Sequence, residues 1–289
     1  MLDASTFQDS DLIKLAKENF ITLKIDAESD YGEELFTQFK GTGYPLIIFL
    51  DKDGIEIDRL YGYLPAYEFI IKMKDVISGQ NTFTYYLEEY NKNNHTAEIL
   101  QPLAEKYKDK GNVNMALDLY KQLITSTNIS KEDYKIAEYN VASLSLKNNQ
   151  IQYMVTYLKN NQEDKNFENG IYDLLDYYKS NQMKDAELKT YIKYLPLLNQ
   201  SYRFLNSYAW RMSERGQNLE DALSKINMAL SILKKDDAGY ANILDTKAEV
   251  LWKMGRVQDA IFTIETALRI EPDSDYYKAQ KEKFIQTIN

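Results

Sequence analysis

The sequence predicts an α/β segment followed by an all-α array of helical hairpins, with the change near residue 80. Before that point, helical and strand periods alternate. After the polar stretch SGQN at residues 78–81, every segment reads as a helix interrupted by short polar turns. In this second part, small residues and turn residues recur at a regular spacing. A chain of 289 residues that is 44% hydrophobic is long enough for about two domains with cores.

The first part begins with a helix, a strand and a second helix. The stretch DSDLIKLAKENF has Asp9 or Ser10 as its N-cap and places apolar residues on one face, which predicts an amphipathic helix. The stretch FITLKID alternates and is rich in β-branched residues, so we expect a strand over residues 21–25 that ends at Asp26. YGEELFTQFK then predicts a helix that ends at the loop carrying Gly41 and Gly43.

A strand hairpin and a third helix complete the first part. PLIIFL is a short apolar run bounded by turn residues, which predicts a buried strand over residues 46–50. In the turn DKDG at residues 51–54, Gly54 can take a positive φ, and IEIDRLYGY is the returning strand. PAYEFIIKMKDVISG begins at Pro65 and ends at Gly79, two residues that favour the ends of a helix.

This order of elements resembles the thioredoxin family over residues 1 to about 80, and the most specific stretch is GYPLIIFLDKDGIEIDRLYGY. That stretch is similar to the cis-proline loop and terminal hairpin of the family. The resemblance implies a cis bond between Tyr44 and Pro45. It also implies that Tyr44 offers its backbone to an extended substrate beside a reactive Cys-x-x-Cys.

The chain contains no cysteine, and this is its main departure from the family. In related domains a stretch like the one from Met1 follows almost directly after Cys-x-x-Cys, so the family's preceding strand is absent too. In the family that strand lies between the strands corresponding to residues 21–25 and 46–50. Either these two strands pair directly in a smaller sheet, or the chain is a fragment of a longer protein, which is the favoured alternative. On this chain alone thiol exchange fails, because it needs sulfur.

The second part resembles the tetratricopeptide repeat. In ILDTKAEVLWKMGRVQDAIFTIETALRIEP, small residues that allow close helix packing and a turn glycine recur, followed by a proline; these are Ala248, Gly255, Ala260, Ala267 and Pro272. The spacing is repeated upstream at Ala209, Gly216, Ala222 and Ala229. It is repeated again at Ala104, Gly111 and Ala116, where Leu123 stands in place of a small residue.

Two weaker units lie between these matches. The first has Ala142 and Asn149 but Met154 at a small position, and the second has Asn181 and Ala186 but Lys193. Asn tolerates a left-handed turn nearly as well as Gly, so both units can form hairpins. We expect about five hairpins over residues 95–272 and a closing helix in SDYYKAQKEKFIQTI. The expected domains are therefore 1–80, a connecting helix or linker at 81–94, and 95–289.

The resemblance implies that the first helix of each hairpin lines a groove that takes a protein or an extended peptide. The candidate groove residues, by helical spacing from the small positions, are Gln101, Glu105, Asn206, Trp210, Asp245, Glu249 and Trp252. Acidic residues occupy several places where carboxylate-clamping repeats carry Lys and Asn. A neutral or basic segment is therefore a better expected partner than a C-terminal carboxylate. For Trp210 and Trp252, packing between repeats is an equally good explanation.

Composition and motifs exclude other function classes. With 35 Lys and Arg against 44 Asp and Glu, the net charge of −9 disfavours nucleic acid. Apolar runs fall far short of the roughly 20 residues that span a bilayer, so we expect no membrane insertion. No phosphate loop, nucleophile elbow or dinucleotide fingerprint occurs, and His95 is the only histidine. The sequence therefore predicts no catalytic residue, cofactor or metal site.

Two functions remain. The first is a protein-binding repeat scaffold carrying a catalytically dead thioredoxin-like domain. The second is a truncated thiol-disulfide oxidoreductase whose Cys-x-x-Cys lies upstream of Met1, with repeats that recruit substrates or a membrane-bound partner. By resemblance such fusions look bacterial and are often exported, while the sequence itself leaves the compartment open.

Overall fold

A computed structural model describes residues 2–127, 129–237 and 239–287. The chain divides into two compact units, Met1–Leu174 and Leu175–Asn289. The first unit contains the α/β segment and the first helices of the array. The second contains the remaining helices.

The α/β segment follows the predicted order of elements, apart from one strand. Its elements are two short 3-10 helices (Leu2–Ala4 and Thr6–Gln8), α1 (Ser10–Asn19), α2 (Asp30–Gln38), β1 (Leu46–Leu50), β2 (Glu56–Tyr61) and α3 (Ala66–Ser78). Asp9 caps α1, because its carboxylate accepts hydrogen bonds from the amides of Asp11 and Leu12. Gly79 ends α3 with φ at 67°, in the left-handed region that favours glycine.

Within the residues that the structure describes, the sheet has two antiparallel strands. Leu46 of β1 lies opposite Tyr61 of β2, and the register slips between Phe49 and Leu50. One face of the hairpin packs on α1 and α3. The buried side chains of that core are Leu12, Phe49, Leu60, Phe69 and Met73.

The prediction of a strand at residues 21–25 is wrong. These residues form no ladder, and the side chains of Ile21 and Leu23 are 95% and 82% exposed. A strand is stable only when a neighbour pairs with its amides and carbonyls, and β1 pairs with β2 alone in the described chain. Alternating sequence gives a segment the capacity to be a strand, but the partner decides whether it becomes one.

Twelve helices follow in the described part of the chain. They are α4 (Phe83–Asn91), α5 (Ala97–Asp109), α6 (Val113–Ile124), α7 (Lys131–Lys147), α8 (Gln152–Asn160), α9 (Phe167–Ser180), α10 (Lys184–Tyr194), α11 (Tyr202–Arg215), α12 (Leu219–Ile232), α13 (Tyr240–Lys253), α14 (Val257–Ile270) and α15 (Asp275–Gln286). None of the helices that the structure describes is long and apolar enough to cross a membrane.

Adjacent helices pack as hairpins, and the predicted small residues lie between them. The packed pairs are α5 with α6, α7 with α8, α11 with α12, and α13 with α14. The alanines at the matched positions are fully buried; these are Ala104, Ala116, Ala209, Ala222, Ala229, Ala248, Ala260 and Ala267. The turn glycines Gly111, Gly216 and Gly255 all have positive φ. An all-α array of helical hairpins is therefore confirmed.

In the weaker units, the structure explains one departure and corrects another. Met154 is fully buried, and its sulfur would lie 3.1 Å from a Cβ added to Gly170 of α9. Because Gly170 has no side chain, Met154 fits at a position where the other repeats carry alanine. The sequence places Asn181 at the turn after α9, but the residue with left-handed φ is Gln182. The backbone amide of Asn181 still donates a helical hydrogen bond to the carbonyl of Tyr177, so the helical turn continues through Asn181.

Candidate functional site

Tyr44 and Pro45 lie in the loop before β1. The bond between them is cis, and the carbonyl of Pro45 accepts a hydrogen bond from the amide of Gly62 at 2.9 Å. The Tyr44 side chain is 62% exposed, and its ring stacks on Phe36 with 4.5 Å between centroids. Tyr44 thus presents an aromatic surface to solvent, held from one side by α2.

Charged residues of β2 join the hairpin to α5 within the first unit. The carboxylate of Asp58 accepts hydrogen bonds from the ammonium of Lys106, and Glu56 pairs with Lys110 at 2.7 Å. Burial alone would raise the pKa of Glu56, but hydrogen bonds from Arg59 and Lys110 hold this pKa below its ordinary value. These ion pairs attach the α/β segment to α5. Because Asp58 and Glu56 are already paired with lysines, their carboxylates are not available to bind an external ligand.

Gln101 and Glu105 lie one turn apart on α5. Gln101 is half-buried and Glu105 is exposed. Both belong to the first unit, and the other five groove candidates belong to the second. In the first unit, therefore, only these two predicted groove residues share a helix face.

Asn206 and Trp210 share one face of α11, in the second unit. Trp210 is half-buried and lines a cavity of about 80 Å³ between the end of α9, α10 and α11. The other residues around this cavity are Leu175, Asp176, Lys179, Glu187, Tyr191, Ser207, Arg211 and Glu214. One turn before Trp210, the buried side-chain oxygen of Asn206 has no hydrogen-bond partner in the part of the chain that the structure describes.

A buried ion pair forms one wall of this cavity. Glu187 is 1% exposed, and Arg211 donates to both of its carboxylate oxygens, at 2.6 and 3.0 Å. The hydrogen bond to Glu187 raises the pKa of Arg211 above its ordinary value, so the guanidinium stays charged. Arg211 also binds Glu214 at 2.9 Å, so its charge is fully engaged. Asp176, in contrast, is exposed and forms no ion pair with any described residue.

Asp245, Glu249 and Trp252 do come together, but beneath α15. Asp245 accepts hydrogen bonds from the Tyr276 hydroxyl at 3.1 Å and from the Gln280 amide at 3.2 Å. Two further contacts join this cluster to α15 and its C-cap: Lys283 with Glu249 at 2.5 Å, and the Trp252 indole with the Thr287 hydroxyl at 3.2 Å. The closing helix of the same chain therefore covers this end of the predicted groove.

Burial also changes the acidity of this cluster. Asp245 is 2% exposed, and its burial raises its pKa to about 6, although the hydrogen bond from Tyr276 acts in the opposite direction. Nearby Glu249 raises this pKa as well, while Lys283 lowers it. Ionisation of Asp245 at neutral pH is thus energetically unfavourable, and its carboxylate is engaged by Tyr276 and Gln280 rather than free to bind a ligand.

Sequence reasoning missed the pair of Glu187 and Arg211, because it joins residues from α10 and α11 that are 24 positions apart. Within the sequence, Glu187 is one charged residue among several on a polar helix, and only the packing of α10 shows that it is buried. His95 stacks on Tyr90 with 4.5 Å between ring centroids. Among the described residues, no group of three or more His, Cys, Asp or Glu side chains could hold a metal ion.

Residues 1–77 match a family model described as a thioredoxin-like domain. Two solved structures resemble the chain more broadly. One is YrrB, described as a tetratricopeptide-repeat protein with an unusual peptide-binding site, at 14% identity over 68% of this chain and 97% of that chain, with a TM-score of 0.48. The other is a putative kinesin light chain with nearly identical repeats of this type from Podosopora anserina, at 14% identity over 63% and 97%, with a TM-score of 0.46. No curated protein matches the sequence.

The chain therefore carries a thioredoxin-like domain over its first 77 residues, followed by helical hairpins.

Proposed function

We propose that this chain is a non-catalytic interaction protein whose helical hairpins bind a protein or an extended peptide at the face of α11. The observation that carries the proposal is the cavity of about 80 Å³ beside the half-buried Trp210. An indole beside a small cavity is an anchor of the kind that dominates binding energy at protein interfaces. In this proposal the thioredoxin-like domain is an adaptor attached to α5 by the Asp58 and Lys106 pair.

The net charge of the chain, rather than the balanced charges at the cavity rim, favours a neutral or basic segment. Of the charged residues around the cavity, Glu187 and Glu214 are already bound by Arg211, which leaves exposed Asp176 and Lys179 at the rim. The whole chain carries a net charge of −9, which attracts cationic partners and repels anionic ones. Arg211 is already engaged by Glu187 and Glu214. The exposed Lys179 at the rim lies three residues from the exposed Asp176 on the same helix, so we expect the partner to bind through an internal segment.

Tryptophan fluorescence tests the proposal directly, because the chain has only two tryptophans. Trp252→Phe leaves Trp210 as the single indole, and this variant should respond to neutral or basic peptides from an immobilised array that spans a range of net charge. Trp210→Ala should weaken the binding of the same peptides by at least about tenfold. Asp176→Lys should weaken binding of the basic peptides selectively.

Trp252→Ala is the matched control, because Trp252 packs against Phe284 of α15 rather than the cavity. It should leave peptide affinity within about twofold of the wild type. If Trp210→Ala binds every responding peptide as well as the wild type does, the α11 face is not the binding site and the proposal fails.

The alternative function is a thioredoxin-family oxidoreductase, and the observation that favours it is the family-model match over residues 1–77. It requires a Cys-x-x-Cys outside this sequence, since the chain itself has no cysteine. N-terminal sequencing and mass measurement of the native protein, purified from its source cells, would decide between an enzyme with such a motif and the scaffold proposed above.

A further inference from the structure

The first unit contains a cavity of about 470 Å³ between the start of α7, the end of α8 and the loop that leads to α9. All of its lining residues are polar, and they are Lys131, Lys135, Lys159, Asn160, Asn161, Gln162, Glu163 and Asp164. Three lysines against two carboxylates give this lysine cavity a net positive charge, although the chain as a whole carries −9. The lysine cavity does not suit an apolar ligand, because no apolar residue is among those that line it.

Two of the three lysines are free to bind an anion. Lys131 and Lys159 are exposed, and neither forms an ion pair with any residue that the structure describes. The neighbouring Glu132 is engaged by Lys165 at 2.5 Å, so it does not neutralise Lys131. Charges more than about 8 Å away are largely screened at physiological ionic strength. The two free ammonium groups, rather than the net charge of the chain, therefore set the field inside the lysine cavity.

The third lysine, Lys135, is held in place by Asp164. Its ammonium lies 3.3 Å from the carboxylate of Asp164, a buried side chain that also accepts hydrogen bonds from the Tyr157 hydroxyl at 2.8 Å and the Asn166 amide at 2.9 Å. Burial alone would raise the pKa of Asp164, but these hydrogen bonds and the ammonium of Lys135 hold this pKa below its ordinary value. Of the two lining carboxylates, Asp164 is thus already neutralised from within the chain, and Glu163 alone opposes the free lysines.

We infer that the lysine cavity binds a short acidic segment of a partner protein. The Asp or Glu side chains of that segment pair with Lys131 and Lys159, and its main chain bonds to the side-chain amides of the lining. None of the lining residues belongs to the predicted groove positions. The site is additional to the one proposed at α11 and has the opposite charge preference, so the two sites take different segments.

The chemistry of the lining favours a carboxylate-bearing peptide over a phosphate group. The side-chain amides of Asn160, Asn161 and Gln162 each carry both donors and an acceptor, as a peptide main chain does, whereas a fully ionised phosphate group only accepts. The carboxylate of Glu163 can accept a hydrogen bond from a peptide amide, and it repels a doubly charged phosphate more strongly than a singly charged carboxylate. No arginine lines the cavity to bind a phosphate in the bidentate manner.

Fluorescence anisotropy tests the site with a labelled peptide of alternating Asp and Thr. The wild type should bind this peptide at least about tenfold more tightly than the same peptide with Asn in place of Asp, because Asn carries no charge. Lys131→Glu and Lys159→Glu should each weaken binding of the acidic peptide by at least about tenfold, whereas Lys159→Arg should retain it. Both lysines are exposed, so the substitutions leave the fold intact, and circular dichroism checks this.

Lys147→Glu is the matched control, because Lys147 is exposed at the opposite end of α7 and the substitution changes the net charge equally. It should leave the affinity for the acidic peptide within about twofold of the wild type. An equal loss of affinity in Lys147→Glu and Lys131→Glu would mean that overall charge attracts the peptide, and would overturn the inference. Equal binding of the two peptides, or no binding of either, would overturn it too.

Inorganic pyrophosphate, added as a competitor, separates a peptide site from a phosphate site. It should displace the acidic peptide from the wild type only at concentrations well above the Kd of the peptide. Tighter binding of pyrophosphate than of the peptide, lost in Lys131→Glu and Lys159→Glu, would make the lysine cavity a phosphate site and overturn the assignment to an acidic segment.

Discussion

The ammonium of Lys106 on α5 lies 2.6 Å from a carboxylate oxygen of Asp58 on β2. The Asp58 side chain is 3% exposed and that of Lys106 is 15% exposed, so both charges are largely removed from water. The amide of Phe83 at the start of α4 also donates to Asp58, at 3.4 Å. This one carboxylate thus contacts the strand hairpin and two helices of the first unit.

Breaking this pair from one side should be costly. Asp58→Asn or Lys106→Met leaves the other charge buried without its partner, and we expect each to lower the free energy of unfolding by about 3 kcal/mol. The double variant Asp58→Leu with Lys106→Met should recover most of that loss, because no unpaired charge remains. Denaturant unfolding measures all three. Single variants as stable as the wild type would show that the pair is solvated rather than buried.

Stability should depend on pH through Asp245. Its pKa of about 6 in the folded protein lies above the ordinary value of 3.8, so the folded state binds this proton more tightly than the unfolded chain. The corresponding stability is fully present below about pH 4 and is lost as the pH rises through about 6. This difference in pKa corresponds to roughly 3 kcal/mol.

Asp245→Asn removes this titration while keeping the shape of the side chain. Relative to Asp245→Asn, the wild type should lose stability between pH 4 and pH 7, measured by denaturant unfolding at each pH. Asp236→Asn, which removes an exposed carboxylate from the same unit, serves as the control and should run parallel to the wild type. Parallel curves for Asp245→Asn and the wild type would contradict the prediction.

Gly170 and Met154 should be coupled energetically. A Cβ at Gly170 would lie 3.1 Å from both the sulfur of Met154 and a methyl carbon of Leu158, so Gly170→Val should overpack this contact and cost about 1–3 kcal/mol. Met154→Ala should cost less in the Gly170→Val background than in the wild type, since the added methyl groups fill the cavity. A double-mutant cycle by thermal or denaturant unfolding measures the coupling. Strictly additive effects would show that the two residues do not share space.

A polypeptide of this sequence should not reduce the disulfides of insulin. It contains no cysteine, and thiol-disulfide exchange requires an attacking thiolate. The measurement is insulin turbidity in the presence of a thiol reductant, with an active thioredoxin as the positive control. Turnover above the reductant's own background would contradict the expectation.

The repeat spacing could be read from sequence because each repeat is a local unit. Gly111, Gly216 and Gly255 mark turns through their own backbone preference, and the alanines mark close helix contacts within about 30 residues. The order of helices and strands in the first 80 residues was equally accessible. Residues 21–25 were the exception, because local alternation does not reveal whether a partner strand exists.

The sequence by itself therefore determined the class of the protein: an α/β segment followed by a chain of helical hairpins, in a sequence that contains no cysteine. Only the tertiary structure decided which candidate side chains remain open. It placed Asp245 and Glu249 beneath α15, paired Glu187 with Arg211, and matched Met154 to Gly170. Each of these outcomes depends on contacts between separate elements, where packing and the cost of burying charge override the pattern of any single helix.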